Sequence, residues 1–332
     1  MTTGKAERIF WIDAVRAFAI LGIVYSHCAA FAGAPAPEWL GMFVGSASLF
    51  FMASGALVFP VRPSAGVFLR RRLASYVPQW IVFTVAYMVL MYFNDRPDPY
   101  RWTNLLRYGA MFGPWQGSWF LYALTGLYLF APVLSPWLTT ASRRSAGAFV
   151  ALWVISGFIP MIDAVAEVNP AEALLAPFFG FAGYMVAGYW LRRWPLSGVP
   201  VRRRVAFFAL CALAVAGGLY FNIGASRWGY GQVLRYDLSF NLMAVNLAVF
   251  GAFSFIPSVC TPPVCTAVSW LSRHSLTIYL WHLLLVRYIV APVCLPGWAI
   301  FPIVLVLTLP LSAVTDRLFA SLRKRVGRRM RP

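Results

Sequence analysis

IFWIDAVRAFAILGIVYSHCAAF, residues 9–31, is an almost wholly apolar run near the N-terminus. A helix rises about 1.5 Å per residue, so about 20 apolar residues cross the roughly 30 Å of hydrocarbon in a bilayer. The run therefore predicts a membrane-spanning helix. It is too long for the core of a signal peptide and has no A-x-A-like cleavage site, so we expect it to be retained.

Two polar residues in this run share one face of the predicted helix. Arg16 and His27 are eleven positions apart, and eleven steps of about 100° complete about three turns, with a rise of about 16 Å. An Arg in a membrane helix costs at least about 2.5 kcal/mol, so Arg16 is expected to face the protein interior and have a partner there. Asp13, three residues earlier, is a candidate partner, but that pair alone leaves His27 unexplained.

The composition extends the membrane prediction to the whole chain. Of 332 residues, 61% are hydrophobic and 11% are charged, and the mean hydropathy is +0.70. The sequence predicts an all-α, polytopic bundle of about ten transmembrane helices, one domain over residues 1–332 with no soluble domain. The predicted spans are residues 9–31, 39–60, 73–93, 116–138, 147–163, 172–191, 205–222, 237–257, 270–292 and 298–318.

The basic residues are divided unequally between the two sides of these spans. With the N-terminus inside, 21 of the 28 Lys and Arg residues fall in cytoplasmic segments or, as Arg273 and Arg317 do, at the inner ends of spans; five fall outside, and Arg16 and Arg287 lie deeper within spans. The positive-inside rule therefore predicts that both termini are cytoplasmic, including a basic tail at 319–332. The net charge of +18 then reflects topology and contact with anionic membrane lipid, and nucleic acid is not expected as a partner.

The five cysteines sit singly in the sequence. No spacing matches a zinc or haem site, and Cys260 and Cys265 lie in a predicted cytoplasmic, reducing loop, so neither a metal site nor a disulfide framework is expected. We interpret the cysteines as small hydrophobic residues. Cys28 stays an alternative nucleophile, although adjacent helix positions point about 100° apart.

Polar residues in the later spans are further candidates for the interior. Ser275, Tyr279 and His282 fall at i, i+4 and i+7, so they share one helix face, and His282 has either a packing or a catalytic role. His274 is expected at the membrane interface. Arg287 needs a partner that the sequence does not identify.

Asp237 and Asn241 begin the predicted eighth span. Asp237 is either a carboxylate that orients His27 or a simple helix cap. Asn241 or Asn246 is expected to bridge helices. Aromatic residues such as Trp119 form either an interfacial belt or a platform on which a sugar stacks.

Five stretches match the pattern of a known family in order and spacing: FWIDAVRAFAILGIVYSH (10–27), SLFFMASG (48–55), FLRRRLASYVP (68–78), WFLYALTGLYLFAPVL (119–134) and SLTIYLWHLLLV (275–286). They resemble the membrane acyltransferase-3 family. The first span of that family has an Asp three residues before an Arg, and a His that follows the Arg after ten intervening residues. The chain length, without an appended hydrolase-like domain, is similar to the branch that O-acetylates surface-glycan precursors, the enterobacterial common antigen type.

The resemblance implies an O-acyltransferase of the bacterial inner membrane, with cytoplasmic acyl-CoA, chiefly acetyl-CoA, as donor. The acceptor would be a hydroxyl of a surface glycan or lipid-linked sugar. His27 would be the general base, with direct transfer or an acyl-His intermediate, Arg16 would steady the donor, and Asp13 would orient Arg16. Arg70, Arg71 and Arg72 would bind the CoA phosphates, and the candidate acceptor-binding residues are Trp119, Tyr122, Asp237, Asn241, Tyr279 and His282.

The sequence departs from the family pattern at two places. Ser75 stands where the family usually has the second Arg of an Arg-x-x-Arg, and Gly117-Ser118 replaces the His-Leu pair that commonly precedes Trp-Phe in the fourth span. Two other functions stay open: a transporter or flippase of a polar or lipid-linked molecule, and an acyltransferase with a small-molecule acceptor. The oligomeric state also stays open.

Overall fold

The computed structural model of the chain describes residues 9–31, 47–62, 64–94, 118–163, 170–228, 237–256, 261–290, 293, 295 and 297–329. The helices in these residues are α1 (Phe10–Phe31), α2 (Ser48–Val58), α3 (Ala65–Asn94), α4 (Ser118–Thr140), α5 (Arg143–Ser156), α6 (Ile159–Asp163), α7 (Pro170–Leu175), α8 (Ala182–Arg193), α9 (Val201–Trp228), α10 (Phe240–Phe253), α11 (Pro262–Leu285) and α12 (Gly297–Arg329). Short 3₁₀ turns lie at Ala176–Phe178 and Leu196–Gly198, and a π-helical turn at Val286–Val290 follows α11. The alternation of aromatic, apolar and basic residues at 101–112 predicts a short amphipathic surface helix, and this segment lies outside the described residues.

Within the described residues, five helical segments are long and apolar enough to cross a membrane: Phe10–Ala29, Ala65–Leu90, Ser118–Thr140, Arg143–Asp163 and Ala299–Arg323. Two shorter apolar helices, Ser48–Val58 and Phe240–Phe253, accompany them. The prediction of an all-α membrane helical bundle is thus confirmed. The number of ten spans stays a prediction.

The predicted span 172–191 is interrupted. Helix α7 ends at Leu175, a 3₁₀ turn follows, and α8 begins at Ala182. Gly180 lies in the interruption with φ of 136°, a backbone conformation that glycine adopts without the steric cost of a Cβ. Hydropathy does not register this break because the residues on both sides are apolar.

The C-terminal helix is longer than the sequence predicts. Helix α12 continues to Arg329, so the predicted basic tail 319–332 is helical over most of its length. Leu, Arg and Lys are good helix formers, and a charged composition alone does not end a helix. Helix α11 likewise begins at Pro262 rather than at the predicted residue 270, because proline suits the first turn of a helix.

The interpretation of the cysteines as single small hydrophobic residues needs one correction. Cys28 and Cys211 are free and buried, in agreement with it, but Cys265 is disulfide-bonded. The predicted reducing compartment of the loop does not determine which sulfur atoms can meet, because that depends on the geometry of the folded chain.

The chain divides into two compact units. The first unit comprises Met1–Gly22, Pro37–Val61 and Phe130–Ser272, and the second comprises Ile23–Ala36, Arg62–Leu129 and Arg273–Pro332. Helices α1, α4 and α11 each contribute residues to both units.

In the first unit, α2 and α8 touch through their backbones at two glycines. A Cβ placed on Gly55 would lie 2.0 Å from the carbonyl oxygen of Met185, and a Cβ on Gly188 would lie 2.0 Å from that of Met52. Small residues allow this approach, and close backbone packing is a main source of helix association in membranes.

Trp153, which is fully buried, donates its indole N–H to the carbonyl of Gly180 at 2.9 Å.

In the second unit, aromatic and polar contacts join α3, α11 and α12. The ring of Phe83 meets that of Trp281 edge-on with centroids 5.0 Å apart. The indole N–H of Trp281 donates to the hydroxyl of Thr315 at 3.0 Å. The hydroxyls of Tyr76 and Thr125 lie 2.6 Å apart and connect α3 to α4. These contacts hold the helices that carry the candidate site.

Candidate functional site

Two histidines from distant parts of the chain meet in the second unit. Nδ1 of His27, near the end of α1, lies 2.9 Å from Nε2 of His282, near the end of α11. The two rings are inclined by only 19°, so the N–H of one can point along the in-plane lone pair of the other. This distance is that of a hydrogen bond between imidazoles. It is the central feature of the candidate site.

The backbone of α11 holds His282 from behind. Its Nδ1 lies 2.6 Å from the carbonyl oxygen of Tyr279 and 3.3 Å from that of Ile278. His282 is fully buried, at 0% exposed, whereas His27 is only partly buried. The π-helical turn Val286–Val290 begins directly after this segment, and such turns are frequent at functional sites.

Aromatic rings surround the imidazole pair within the same unit. The Tyr279 ring lies 5.5 Å from that of His282, centroid to centroid, and 5.3 Å from that of Phe120 on α4. Tyr87 on α3 is buried and reaches the carbonyl of Leu280 at 3.5 Å. Phe120 is a contact that sequence reasoning missed, because nothing distinguishes it from other apolar residues of its span.

The proposed substrate residues Trp119 and Tyr122 lie on α4 beside these rings. The Tyr122 ring packs edge-on against Trp80 of α3 at 4.5 Å between centroids. Trp119 neighbours Phe120, with the two ring centroids 6.3 Å apart. Both are partly buried. Aromatic side chains are suited to contact a sugar ring.

Asp13 and Arg16 belong to the first unit, on the earlier part of α1. The hydroxyl of Ser272 donates to Oδ1 of Asp13 at 2.6 Å. Asp13 is 8% exposed, and Arg16 is partly buried. Helix α1 is uninterrupted from Phe10 to Phe31, so Arg16 and His27 share one continuous helix, as the apolar run predicted.

Asp237 and Asn241 also belong to the first unit. The hydroxyl of Ser48 donates to Oδ1 of Asp237 at 3.3 Å, and the hydroxyl of Tyr184 donates to the backbone carbonyl of Asp237. Asn241 is fully buried. Sequence reasoning considered Asp237 either as an orienting carboxylate for His27 or as a simple helix cap, and the role of Asp237 stays a prediction.

The three consecutive arginines of α3 differ in their surroundings. Arg70 and Arg71 are exposed. The guanidinium of Arg72 lies over the rings of Phe68 and Tyr128, at 5.7 and 5.8 Å from their centroids. Successive helix positions point about 100° apart, so the three side chains start in different directions and rely on their length to converge on one ligand.

Ser75, at the position where the family usually has an Arg, takes part in backbone contacts. Its hydroxyl donates to the carbonyl of Arg72 at 2.6 Å, and its own carbonyl accepts from the guanidinium of Arg323 at 2.9 Å. An arginine from α12 therefore reaches the helix turn at which Ser75 replaces one. Sequence reasoning missed Arg323 because residues 319–332 were predicted to form a basic cytoplasmic tail.

A second polar cluster in the second unit was also missed. Nδ1 of His274 donates to Oδ2 of Asp316 at 2.5 Å. Thr277 donates to the same oxygen at 3.0 Å, and Gln79 donates to Oδ1 at 3.0 Å. The available signal was Asp316 itself, an acidic residue inside the last predicted apolar span.

Among the residues that the structure describes, no group of three or more His, Cys, Asp or Glu residues is placed to hold a metal ion.

Arg287 is exposed and lies over the ring of Tyr288, 5.5 Å from its centroid. The aromatic ring is thus one contact of this cation.

Comparison with known proteins gives one match. A sequence model of the acyltransferase-3 family, described as an acyltransferase domain, matches residues 9–317. No curated protein and no solved structure matches the chain. The matched range includes both histidines of the imidazole pair and all the site residues predicted from the sequence, whereas Arg323 lies beyond it.

Proposed function

Since the chain belongs to the acyltransferase-3 family, we propose that this membrane acyltransferase moves an acetyl group from acyl-CoA to a hydroxyl of a surface-glycan or lipid-linked sugar. The observation that carries the proposal is the hydrogen bond between His27 and His282. It places an oriented, partly accessible imidazole on the first membrane helix.

The chemistry needs such a group. An alcohol is a poor nucleophile while protonated, and an imidazole is the side chain suited to take a proton near neutral pH. His27 removes the hydroxyl proton as the oxygen attacks the thioester carbonyl and the C–O bond forms. The C–S bond then breaks, and the imidazolium returns the proton to the leaving thiolate of CoA. Atoms and charge balance without a metal or redox cofactor.

The donor would bind through arginines. Arg70, Arg71 and Arg72 supply guanidinium groups within one turn of α3, and guanidinium is the preferred bidentate partner of phosphate. Arg16 would steady the thioester oxygen or the pantetheine arm, and Asp13, held by Ser272, would keep Arg16 in place. The cytoplasmic location of this donor site follows the charge distribution of the sequence.

The acceptor would be a sugar in the membrane or its surface. Trp119, Tyr122 and Tyr279 offer aromatic faces, and Asp237 and Asn241 offer polar groups at the start of α10. We propose that the protein belongs to the branch that acetylates the enterobacterial common antigen. We also propose that it lies in the bacterial inner membrane, with both termini in the cytoplasm. Both proposals rest on the sequence resemblance and the charge distribution.

The decisive experiment measures transfer by the purified protein. The full chain in nanodiscs is given acetyl-CoA and an envelope glycolipid fraction, and CoA release and acetyl incorporation are followed by thiol assay and mass spectrometry. We expect transfer that His27→Gln lowers by about 10² to 10⁴, because glutamine keeps a polar side chain of similar reach but does not accept the proton.

Two results would overturn the proposal. One is a folded His27→Gln variant that transfers acetyl at near the parent rate. The other is a parent protein that shows no CoA-dependent transfer but moves intact glycolipid across liposomes, which would establish a transporter instead. A deletion strain whose envelope glycans lose acetyl groups would identify the acceptor.

A further inference from the structure

We infer that His282 is a positioning residue that fixes the tautomer of His27, so that Nε2 of His27 is the atom that takes the proton from the acceptor hydroxyl. This inference rests on the proposed function for its chemical meaning. Its structural part, the assignment of protons in the imidazole pair, can be tested without any activity.

The backbone of α11 determines which nitrogen of His282 carries the proton. A carbonyl oxygen only accepts hydrogen bonds. Nδ1 of His282 lies 2.6 Å from the carbonyl oxygen of Tyr279, so Nδ1 of His282 must carry a proton and donate it. The carbonyl of Ile278, at 3.3 Å, offers the same nitrogen a second acceptor.

The proton position on His282 in turn determines which nitrogen of His27 carries a proton. A neutral imidazole carries one N–H and one lone pair. With its proton on Nδ1, neutral His282 presents the lone pair of Nε2. That atom lies 2.9 Å from Nδ1 of His27, so Nδ1 of His27 must be the donor in the bond between the two rings.

This proton position on His27 identifies the basic atom. When Nδ1 of His27 carries the single proton of the neutral ring, Nε2 has the free lone pair. The hydroxyl proton of the acceptor then moves onto Nε2, and Nδ1–H of the resulting imidazolium continues to donate to His282. That bond becomes charge-assisted and therefore stronger while the substrate oxygen attacks. His282 stays neutral throughout, and no further proton is needed.

The surroundings explain why an imidazole is used as the orienting group. In serine hydrolases a carboxylate performs this task, but a carboxylate in a membrane helix is a costly charge. His282 is 0% exposed, and a neutral ring with both nitrogens hydrogen-bonded avoids that cost. The Tyr279 ring on one side, 5.5 Å away between centroids, further restricts its rotation.

The direct test reads the tautomers by nitrogen-15 NMR. The chain has three histidines, so ¹⁵N-histidine labelling gives a spectrum that the variants His27→Gln, His274→Gln and His282→Gln can assign. We expect the His27 signals to show a protonated Nδ1 and an unprotonated Nε2 in the resting protein. A His27 ring protonated on Nε2 and unprotonated on Nδ1 would overturn the inference, whatever the activity.

The functional test compares two substitutions of His282. Leucine keeps an apolar volume but has no acceptor, whereas the side-chain oxygen of glutamine can accept near the position of Nε2. We expect His282→Leu to lower kcat about 10²-fold, because a base in the wrong tautomer forfeits most of its effect. His282→Gln should retain at least about a tenth of the parent kcat. The KM for acyl-CoA should stay within about twofold in both.

A purely structural role for His282 gives a different result. It predicts that the two variants lose activity in proportion to their loss of thermal stability, and this outcome would overturn the inference. If the parent protein has no acyl transfer at all, the proposed function fails. The NMR measurement would still decide the proton positions.

Discussion

The imidazole of His274 and the carboxylate of Asp316 lie 2.5 Å apart and join α11 to α12 in the second unit. The carboxylate also accepts from Thr277 and Gln79, each at 3.0 Å. Asp316 of α12 therefore accepts hydrogen bonds from two other helices, α3 and α11.

We expect His274 and Asp316 to be energetically coupled. His274→Gln and Asp316→Asn should each lower thermal stability, and the double variant should lose less than the sum, with a coupling of about 0.5–3 kcal/mol. Denaturation of the purified protein in detergent measures all four states. As a control, Asp316→Asn combined with Ser142→Ala, which removes the cap of α5, should be additive. Additivity in the first pair would refute the coupling.

The contact between α2 and α8 predicts a strong effect of a single methyl group. Gly188→Ala places a Cβ 2.0 Å from the carbonyl oxygen of Met52, so the two backbones must separate. We expect a loss of about 1–3 kcal/mol or more, seen as a lower melting temperature. Gly126→Ala in α4 is the matched control, because a Cβ there meets nothing within 4 Å.

The control variant should be neutral or slightly more stable, since alanine favours a helix over glycine by up to about 1 kcal/mol. Equal melting temperatures for the two alanine variants would show that α2 and α8 do not pack through their backbones.

The donor site predicts a change in KM rather than in kcat. Arg70→Ala, Arg71→Ala and Arg72→Ala combined should raise the KM for acyl-CoA at least about tenfold, because phosphate contacts contribute to binding before the chemical step. The matched control removes three exposed arginines elsewhere, Arg144, Arg202 and Arg203, and should leave KM within about twofold. Steady-state kinetics on both triple variants separates a specific phosphate site from a general loss of positive charge.

Arg16 is expected to require its guanidinium shape as well as its charge. Arg16→Lys keeps the positive charge but replaces a planar fork of donors with a flexible point charge. We expect kcat to fall at least about tenfold, equivalent to about 1.4 kcal/mol, with unchanged insertion into the membrane. A lysine variant with the parent kcat would mean that Arg16 acts only through its charge.

The charge distribution predicts which loops face the cytoplasm. Ser145→Cys, between the predicted fourth and fifth spans, should be protected from an impermeant thiol reagent in intact cells, and Asp98→Cys, between the third and fourth, should be labelled. The reverse pattern would place both termini outside. It would also move the arginines of α3 away from cytoplasmic acyl-CoA.

The sequence predicts the helical membrane fold well because apolar runs of bilayer length are a strong, local signal. It predicts α1 with Arg16 and His27 on one continuous helix, which the structure confirms. It does not predict the interruption before α8, since Gly180 is conformationally special only in the folded chain, where its φ is 136°.

The candidate site is only half predictable for the same reason. Helical spacing places Ser275, Tyr279 and His282 on one face, and all three are buried. The partner of His282 is 255 residues away in the sequence, and such a pairing depends on how the helices pack. Sequence reasoning looked for a carboxylate beside His27 and assigned His282 to packing or catalysis, without linking the two.

The imidazole pair also determines how strongly the rate of acyl transfer depends on the membrane potential. A unit charge that crosses the whole bilayer exchanges about 2.3 kcal/mol with a potential of 100 mV. In the resting protein both imidazole rings are neutral, so the membrane potential does not change the electrostatic energy of the site. A charge exists there only while one proton rests on His27 during turnover. The proton is taken up and returned over a few ångströms, so acyl transfer should proceed at nearly the same rate in energised and de-energised membranes.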